Sequence, residues 1–236
     1  MAVDTLQEAL TAAWRLIVTA DPELLAIVAL SLQVSLSAVV LAALVGLPLG
    51  AALALLSFPG RGAVVLLVNA LMGLPPVVAG LLVYLLFSRA GPLGAMGLLY
   101  TPAVMIIAQC LLIIPIIAAL TRQIVLDLHE EYDEQLRSLG VGPWRAMPTL
   151  LWDGRYRLLT VILAGFGRAS AEVGAVLIVG GNIHHVTRVM TTAIALETSK
   201  GNLALAFGLG LILIAVVVTV NGAALGLQQW TRRIQG

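Results

Sequence analysis

Charged residues are scarce in this chain of 236 residues: they make up 11% of it, whereas hydrophobic residues make up 60%. Ordinary soluble domains carry about 25% charged residues, so a soluble globule is excluded. A disordered chain is excluded as well, because disorder needs low hydrophobicity and high charge. The 13 basic residues barely exceed the 12 acidic ones, which argues against a nucleic-acid partner, since phosphate neutralisation needs a clustered basic surface. The composition predicts an integral membrane protein.

Cysteine and the common catalytic motifs are also missing or nearly so. The single cysteine, Cys110, lies in an apolar run, which excludes a disulfide framework and a thiolate metal cluster. There is no G-x-x-x-x-G-K motif followed by Ser or Thr, no H-E-x-x-H and no G-x-S-x-G. Because Glu172 is the one acid inside the apolar runs, an intramembrane hydrolase is disfavoured. The sequence predicts a chain that is not an enzyme and that binds neither a metal nor another cofactor itself.

Long runs without charge are what the chain has instead, and they locate the membrane spans. Each span needs about 20 apolar residues. The runs are residues 24–60, 62–88, 90–121 and 201–231, together with 158–183, which is apolar except for Arg168 and Glu172. The first run is too short for two spans and a turn, so we expect one long helix there. The predicted fold is an all-α membrane protein with five transmembrane helices, forming a single domain over residues 1–236.

The flanking segments complete this topology. Residues 1–22 carry apolar side chains at helical spacing, which predicts an amphipathic helix in the membrane interface. Asp21, Pro22 and Glu23 then resemble a cap, a first-turn proline and a favourable acid at the start of the first span. With the N-terminus outside and the C-terminus in the cytoplasm, eight arginines fall inside and four basic residues outside. The positive-inside rule favours that orientation.

One connection, residues 122–157, holds 11 of the 25 charged residues and is predicted to be a cytoplasmic loop with two short helices. Asp127 is expected to cap the first helix, Gly140 to end it in the left-handed conformation, and Pro143 to start the second. Apolar side chains on such a helix–glycine–helix elbow suit the docking of a partner. A solvated linker between spans is the alternative interpretation.

Several motifs carry a resemblance to a known family. The stretch Glu134-Gln135-Leu136-Arg137-Ser138-Leu139-Gly140 is similar to the E-A-A-x-x-x-G signature of ABC importer permeases, although both alanines are replaced. Residues 74–82 and 91–94 resemble the second span of molybdate, sulfate and tungstate permeases, and residues 165–174 resemble their fourth-span motif. Residues 179–201 are most similar to the tungstate-type branch.

This resemblance implies that transport and ATP hydrolysis are carried out by different subunits. A separate ABC ATPase, present in two copies, would bind ATP and Mg and drive alternating access through the elbow. The implied assembly is a homodimer of this chain in the inner membrane of a prokaryote, supplied by a periplasmic or extracellular substrate-binding protein. Trp144 and Leu150 are the expected apolar anchors of the ATPase contact. The complete set of expected coupling residues is Glu134, Arg137, Gly140, Pro143, Trp144 and Arg145.

Candidates for the transport pathway lie inside the spans. Arg168 and Glu172 are four residues apart, and this helical spacing predicts that they lie on one face, close enough to neutralise each other. They are either a gate or pathway element or a structural pair, because an isolated charge at bilayer depth costs about 2.5–3.5 kcal/mol. Pro75 and Pro76 are expected to break the second span, which makes that break a candidate gate.

The segment after the fourth span offers polar groups to an oxyanion or to the binding protein that delivers it. These residues are Asn182, His184, His185, Arg188, Thr191 and Thr192. An ordinary polar loop is the alternative interpretation, and a metal site is disfavoured because adjacent histidines lack further ligands. The predicted function is permease of an oxyanion importer, with tungstate preferred over molybdate and sulfate. A secondary carrier or channel is the competing hypothesis, and it predicts internal repeats that the sequence lacks.

Overall fold

The structure is a computed structural model that describes Thr11, Trp14, Val18, Thr19 and residues 21–235, with the backbone alone for 225 and 227–235. Among these residues the regular elements are helical and none is a strand. The helices are α1 (Pro22–Leu55), α2 (Arg61–Met72), α3 (Pro76–Phe87), α4 (Pro102–Ser138), α5 (Pro143–Asp153), α6 (Arg155–Ser170), α7 (Gly174–Gly180), α8 (Met190–Ser199) and α9 (Leu203–Gln235). The all-α prediction is confirmed, whereas the interfacial helix predicted at 1–22 lies largely outside the described residues.

Within the described part of the chain, three helices are long and apolar enough to cross a membrane: α1, α4 and α9. Two interrupted pairs, α2 with α3 and α6 with α7, raise the number to five if each pair is one span. The predicted break at Pro75 and Pro76 is therefore observed. The fourth predicted span, residues 158–183, is interrupted as well between Ser170 and Gly174, which its apolar pattern did not predict.

The start of α1 follows from its first residues. The Asp21 carboxylate accepts hydrogen bonds from the backbone N–H groups of Glu23 at 3.0 Å and Leu24 at 3.1 Å. These bonds satisfy two of the donors that a helix start leaves unpaired. Pro48 and Pro115 lie inside α1 and α4, and neither ends its helix.

Contacts divide the chain into two compact units. Unit 1 comprises Met1–Leu36, Pro76–Gln109 and Ser170–Gly236. In it α3 packs closely against α7, since a Cβ on Gly80 would lie 2.7 Å from Ala175 Cα. The buried Ser31 hydroxyl joins α1 to the start of α8, because it accepts a 2.7 Å hydrogen bond from Met190 N. Leu24, Ile27, Met190, Ala193 and Leu209 form the apolar cluster beside this bond.

Unit 2 comprises Ser37–Pro75 and Cys110–Ala169. A Cβ on Gly50 would lie 2.4 Å from Ala118 O, and one on Gly46 would lie 2.8 Å from Ile117 Cγ2. Glycines four residues apart on α1 thus permit close approach of α4, as small residues do in membrane helix pairs. Arg61 donates hydrogen bonds to Leu53 O and Ala54 O, so its guanidinium caps the end of α1.

The charged connection differs from its predicted form. Helix α4 continues without interruption to Ser138, so Asp127 lies in its interior and does not cap a separate helix. The physical reason is tertiary, because Val125 and Leu128 extend the apolar face of α4 into a buried cluster with Leu150. Outside helices, residues 122–157 contain only 139–142 and Gly154.

Candidate functional site

The turn between α4 and α5 is built around Gly140, which has a φ of 65°. Gly140 N donates to Arg137 O at 3.1 Å, and Val141 N donates to Leu136 O at 2.9 Å. This pair of bonds is the Schellman arrangement that ends a helix at a left-handed residue. Pro143 then occupies the first turn of α5, as the sequence predicted. We call residues 134–153 the elbow.

The two sides of the elbow have opposite character. Ala146, Met147 and Leu150 of α5 are buried in a cluster that also contains residues of α1 and α4. The predicted coupling residues are exposed, namely Glu134, Arg137, Gly140, Pro143, Trp144 and Arg145. The prediction that Leu150 anchors a partner is wrong, because its side chain is only 1% exposed and belongs to the core. Exposed apolar surface on the elbow comes from Leu139, Trp144 and Trp152.

Polar side chains tie the elbow to its neighbours. Tyr132 Oη donates a 2.7 Å hydrogen bond to Asp153 Oδ2, which joins α4 to the last residue of α5. That hydrogen bond, with the nearby negative charge, raises the pKa of Tyr132. Arg155 donates to Trp152 O at 2.8 Å and lies over the ring of Trp152. Arg137 pairs with Asp133 at 2.9 Å along α4, so both charges are partly neutralised within this chain.

Arg168 and Glu172 do not share a continuous helix. Arg168 lies in the last turn of α6, which ends at Ser170, whereas Glu172 lies in the break before α7. The premise of helical i, i+4 spacing is therefore wrong. The Glu172 side chain, 3% exposed, accepts a 2.9 Å hydrogen bond from Ala175 N. A carboxylate at this position satisfies a donor of the first turn of α7, and the gate role of the two residues stays a prediction.

Local backbone hydrogen bonds close the break between α2 and α3. Gly73 N donates to Ala70 O and Leu74 N donates to Leu71 O, both at 3.1 Å, which satisfies carbonyls at the end of α2. Pro75 and Pro76 follow directly, and Pro76 is the first residue of α3. Their gate role also stays a prediction.

Hydroxyl groups in the segment 181–192 are used internally. Thr187 Oγ1 is buried, accepts from Ile183 N at 2.9 Å and donates to Gly180 O. Thr191 Oγ1 donates to Glu172 O at 2.8 Å. Thr192 Oγ1 accepts from Val189 N at 3.1 Å, at the start of α8. These internal hydrogen bonds stabilise the conformation of the segment, and they leave the hydroxyl groups with less capacity to donate to an anion.

Two nitrogen-bearing side chains of this segment, those of His184 and Arg188, lie close to the carboxylate of Glu23. Glu23 Oε1 lies 2.6 Å from His184 Nε2 and 3.7 Å from Arg188 Nη1. His184 and His185 have ring centroids 3.7 Å apart. Together with Glu23 and Arg188 they border a cavity of about 110 Å³. Asn182 has a φ of 49° and donates to Thr192 O at 3.4 Å. No metal-binding group of three or more acidic, histidine or cysteine residues is found in the described part of the chain.

Glu197 was not singled out from the sequence. It lies on α8, is 6% exposed, and pairs with Lys200 Nζ at 2.9 Å. Asn202 Nδ2 donates to its other oxygen at 3.0 Å. The Lys200 hydrogen bond lowers the pKa of Glu197, while burial opposes that effect. The i, i+3 spacing of Glu197 and Lys200 was the available sequence signal.

Comparison with known proteins adds independent findings. The family model described as "Binding-protein-dependent transport system inner membrane component" matches residues 46–233. The chain is 37% identical over 227 residues to the tungstate uptake system permease protein TupB of Peptoclostridium acidaminophilum, covering 96% of this chain and 100% of that protein.

Two further relatives are similar at comparable levels, and a third is more distant. A probable anion ABC transporter permease protein of Haloferax volcanii is 40% identical, with 84% of this chain and 88% of that protein covered. TupB of Campylobacter jejuni is 38% identical, with 66% and 65% covered. The sulfate transport system permease protein CysW of Synechocystis is 28% identical, with 80% and 74% covered. These relatives agree with the resemblance that the sequence motifs carried.

Proposed function

Since this chain belongs to the family of binding-protein-dependent transport system inner membrane components, we propose that it is the membrane-spanning subunit of an ATP-driven tungstate importer. The family consists of transporter membrane subunits and not of enzymes, and it implies an ATPase and a substrate-binding protein as partners. Tungstate is preferred because two relatives named as tungstate permeases are 37% and 38% identical. The relative named as a sulfate permease is 28% identical.

The observation that carries the proposal is the exposed elbow. Its inner face is buried, its turn is closed by backbone hydrogen bonds, and Trp144 is 71% exposed beside Arg145. An exposed tryptophan flanked by arginine is a favourable centre for a protein contact. The chain lacks a nucleotide-binding P-loop of its own, so ATP and Mg would be bound by the partner that docks here.

The proposed assembly contains two copies of this chain and two ATPase subunits. Helix α9 supports pairing or lipid contact, because only 17% of its most apolar stretch is buried. We place the N-terminus outside and the C-terminus in the cytoplasm of a prokaryote, with five spans in which α2–α3 and α6–α7 each count as one. The positive-inside distribution of arginines supports this orientation.

Two groups of residues are proposed to act on the substrate. The first group lies at the two helix breaks and contains the candidates for the pathway or gate, namely Arg168, Glu172, Pro75 and Pro76. The 181–192 segment is proposed to contact the binding protein or the anion, through Asn182, His184, His185, Arg188, Thr191 and Thr192. The internal hydrogen bonds of Thr191 and Thr192 favour the histidines and Arg188 as the contacting groups.

The test is reconstitution. The chain is tagged at its C-terminus, purified from its native cells with whatever copurifies, and placed in proteoliposomes with candidate binding proteins. We expect a stoichiometric P-loop ATPase and ATP hydrolysis that tungstate stimulates more than molybdate or sulfate at equal concentration. Stronger stimulation by molybdate or sulfate would change the substrate. Uptake without any copurifying ATPase would replace the proposal with a secondary carrier or channel.

A further inference from the structure

Helix α5 is attached to α4 at three places along its length. At its N-terminal end, the Gly140 turn joins the helices through backbone hydrogen bonds. In its middle, Leu150 packs into the cluster that contains Val125 and Leu128 of α4. At its C-terminal end, the attachment is the 2.7 Å hydrogen bond from Tyr132 Oη to Asp153 Oδ2. The first two are backbone or core contacts, and the third is a single polar pair near the surface.

The C-terminal attachment lies next to the connection with α6. Asp153 is the last residue of α5, Gly154 alone follows, and Arg155 begins α6. Gly154 is tightly enclosed, because a Cβ there would lie 3.0 Å from Leu128 Cδ1 and 3.1 Å from Leu150 O. A displacement of α5 therefore reaches α6 through Asp153 and one glycine.

Without the Tyr132–Asp153 bond, the C-terminal end of α5 would lose this polar attachment to α4 and keep the apolar packing of Gly154 against Leu128. A load on the exposed side of the elbow, near Trp144, would then tilt α5 about its buried residues. The end that adjoins α6 would yield more readily, because apolar packing is less directional than the hydrogen bond it would have lost. With the bond in place, α4, α5 and the start of α6 respond to a load together.

We propose that Tyr132 and Asp153 form a strut that transmits motion from the elbow to α6, and that they are positioning residues for energy coupling. This inference rests on the function proposed above and adds two residues to it. Neither residue needs to touch the substrate or the ATPase. The phenol–carboxylate hydrogen bond suits this role, because a charged acceptor makes it shorter and stronger than a neutral pair. It also breaks without opening the core.

The test measures transmission separately from assembly. Tyr132→Phe removes only the donor oxygen, and Asp153→Asn removes the charge of the acceptor. Asp133→Asn is the matched control, because it removes a carboxylate from the adjacent position whose partner, Arg137, lies on α4 itself. Each variant is reconstituted with its ATPase, and the number of ATP molecules hydrolysed per oxyanion imported is measured beside subunit copurification.

We expect Tyr132→Phe and Asp153→Asn to raise the ATP cost per imported anion at least threefold, with normal copurification of the ATPase. The double variant should be no worse than Tyr132→Phe alone, since that change already removes the donor of the bond that Asp153→Asn weakens. Asp133→Asn should match the wild type. A wild-type ratio in both strut variants, or a defect explained entirely by loss of the ATPase, would overturn the proposal.

A second measurement does not depend on transport. Spin labels at Glu130→Cys on α4 and Thr149→Cys on α5, both exposed positions, report the distance between the helices after Cys110→Ser. We expect a narrow distance distribution in the parent and a broader one with Tyr132→Phe. An unchanged distribution overturns the strut whatever the transport assay gives. A broadened distribution in a chain whose wild type does not transport would support the strut and refute the proposed function.

Discussion

The elbow and the 181–192 segment use similar residue types in opposite ways. In the elbow the polar and aromatic candidates are exposed, while Ala146, Met147 and Leu150 form the attachment. In the 181–192 segment the hydroxyls of Thr187 and Thr192 are buried and hydrogen-bonded within the chain. The comparison teaches that a polar residue near a helix end indicates a partner only where the fold has not already used it.

The largest expected effect is a loss of stability from a substitution on the buried face of the elbow, which a substitution on the exposed face should not cause. Leu150→Ala removes a side chain that is 1% exposed and should cost about 2–5 kcal/mol of stability through lost burial and a cavity. Trp144→Ala should leave stability unchanged and weaken ATPase attachment by at least about 2 kcal/mol, roughly 30-fold. Thermal unfolding in detergent and an affinity measurement with the purified ATPase check the pair. An equal loss of thermal stability in both variants would contradict the assignment of the faces.

The next largest effect is expected from a substitution at Gly140, in the turn of the elbow. Gly140→Val forces a β-branched residue to a φ of 65°, which should strain the turn by about 1–3 kcal/mol. We expect lost transport and weaker ATPase attachment, with membrane insertion retained. Gly142→Val is the control, because both positions have open space for a Cβ and Gly142 is extended at φ −75° and ψ 163°. Normal uptake by Gly140→Val would refute the role of the elbow.

The internal use of hydroxyls in the 181–192 segment is tested by Thr187→Val. The variant leaves Ile183 N and Gly180 O without their buried partner, which should cost about 1–3 kcal/mol. Hydrogen exchange at the Ile183 amide should accelerate, and the thermal midpoint should fall. Thr149→Val, at an exposed position of α5, should change neither. Protection of Ile183 equal to that of the wild type would show that the hydroxyl is dispensable to the segment.

A smaller effect is expected of pH on thermal stability, through the ionisation of Glu197. Because the pKa of Glu197 is lower in the folded chain than its ordinary value of 4.5, its ionised form stabilises the fold. That contribution is present above 4.5 and is lost as the pH falls through the lowered folded-state pKa. Thermal midpoints of the wild type should therefore fall more steeply on acidification than those of Glu197→Gln. Parallel pH profiles for the two chains would show that the Lys200 and Asn202 contacts do not favour the ionised form.

The sequence predicted the elements whose causes are local. Gly140, followed three residues later by Pro143, was enough to predict the turn and the start of α5. Both features depend on backbone geometry alone. Asp21 was predicted as a cap because its side-chain carboxylate can accept from backbone N–H groups two and three residues later, which is also a local cause. The motifs around Glu134 and Arg168, taken in order along the chain, were enough to indicate the family that the comparisons confirmed.

Other features depended on neighbours distant in sequence. Leu150 was placed on the docking face because an amphipathic pattern does not tell which partner its apolar side contacts. Asp127 was predicted as a cap from its local sequence alone. The sequence does not show the buried cluster in which Val125 and Leu128 meet residues of α1, and this cluster is what continues α4 past Asp127. No proline marks the break between Arg168 and Glu172, so the sequence pattern did not predict it, and Glu172 accepts a hydrogen bond from the backbone of α7.

By itself, the sequence determined that this chain lies in a membrane and that it is helical, and its motifs indicated the transporter family to which it belongs. Scarce charge, long apolar runs and short motifs are properties of composition and local order, and no folding is needed to recognise them. Only the tertiary structure decided which polar groups are available to partners. Burial and hydrogen bonding depend on what other segments bring to each residue, as the exposed Trp144 and the enclosed Thr187 demonstrate.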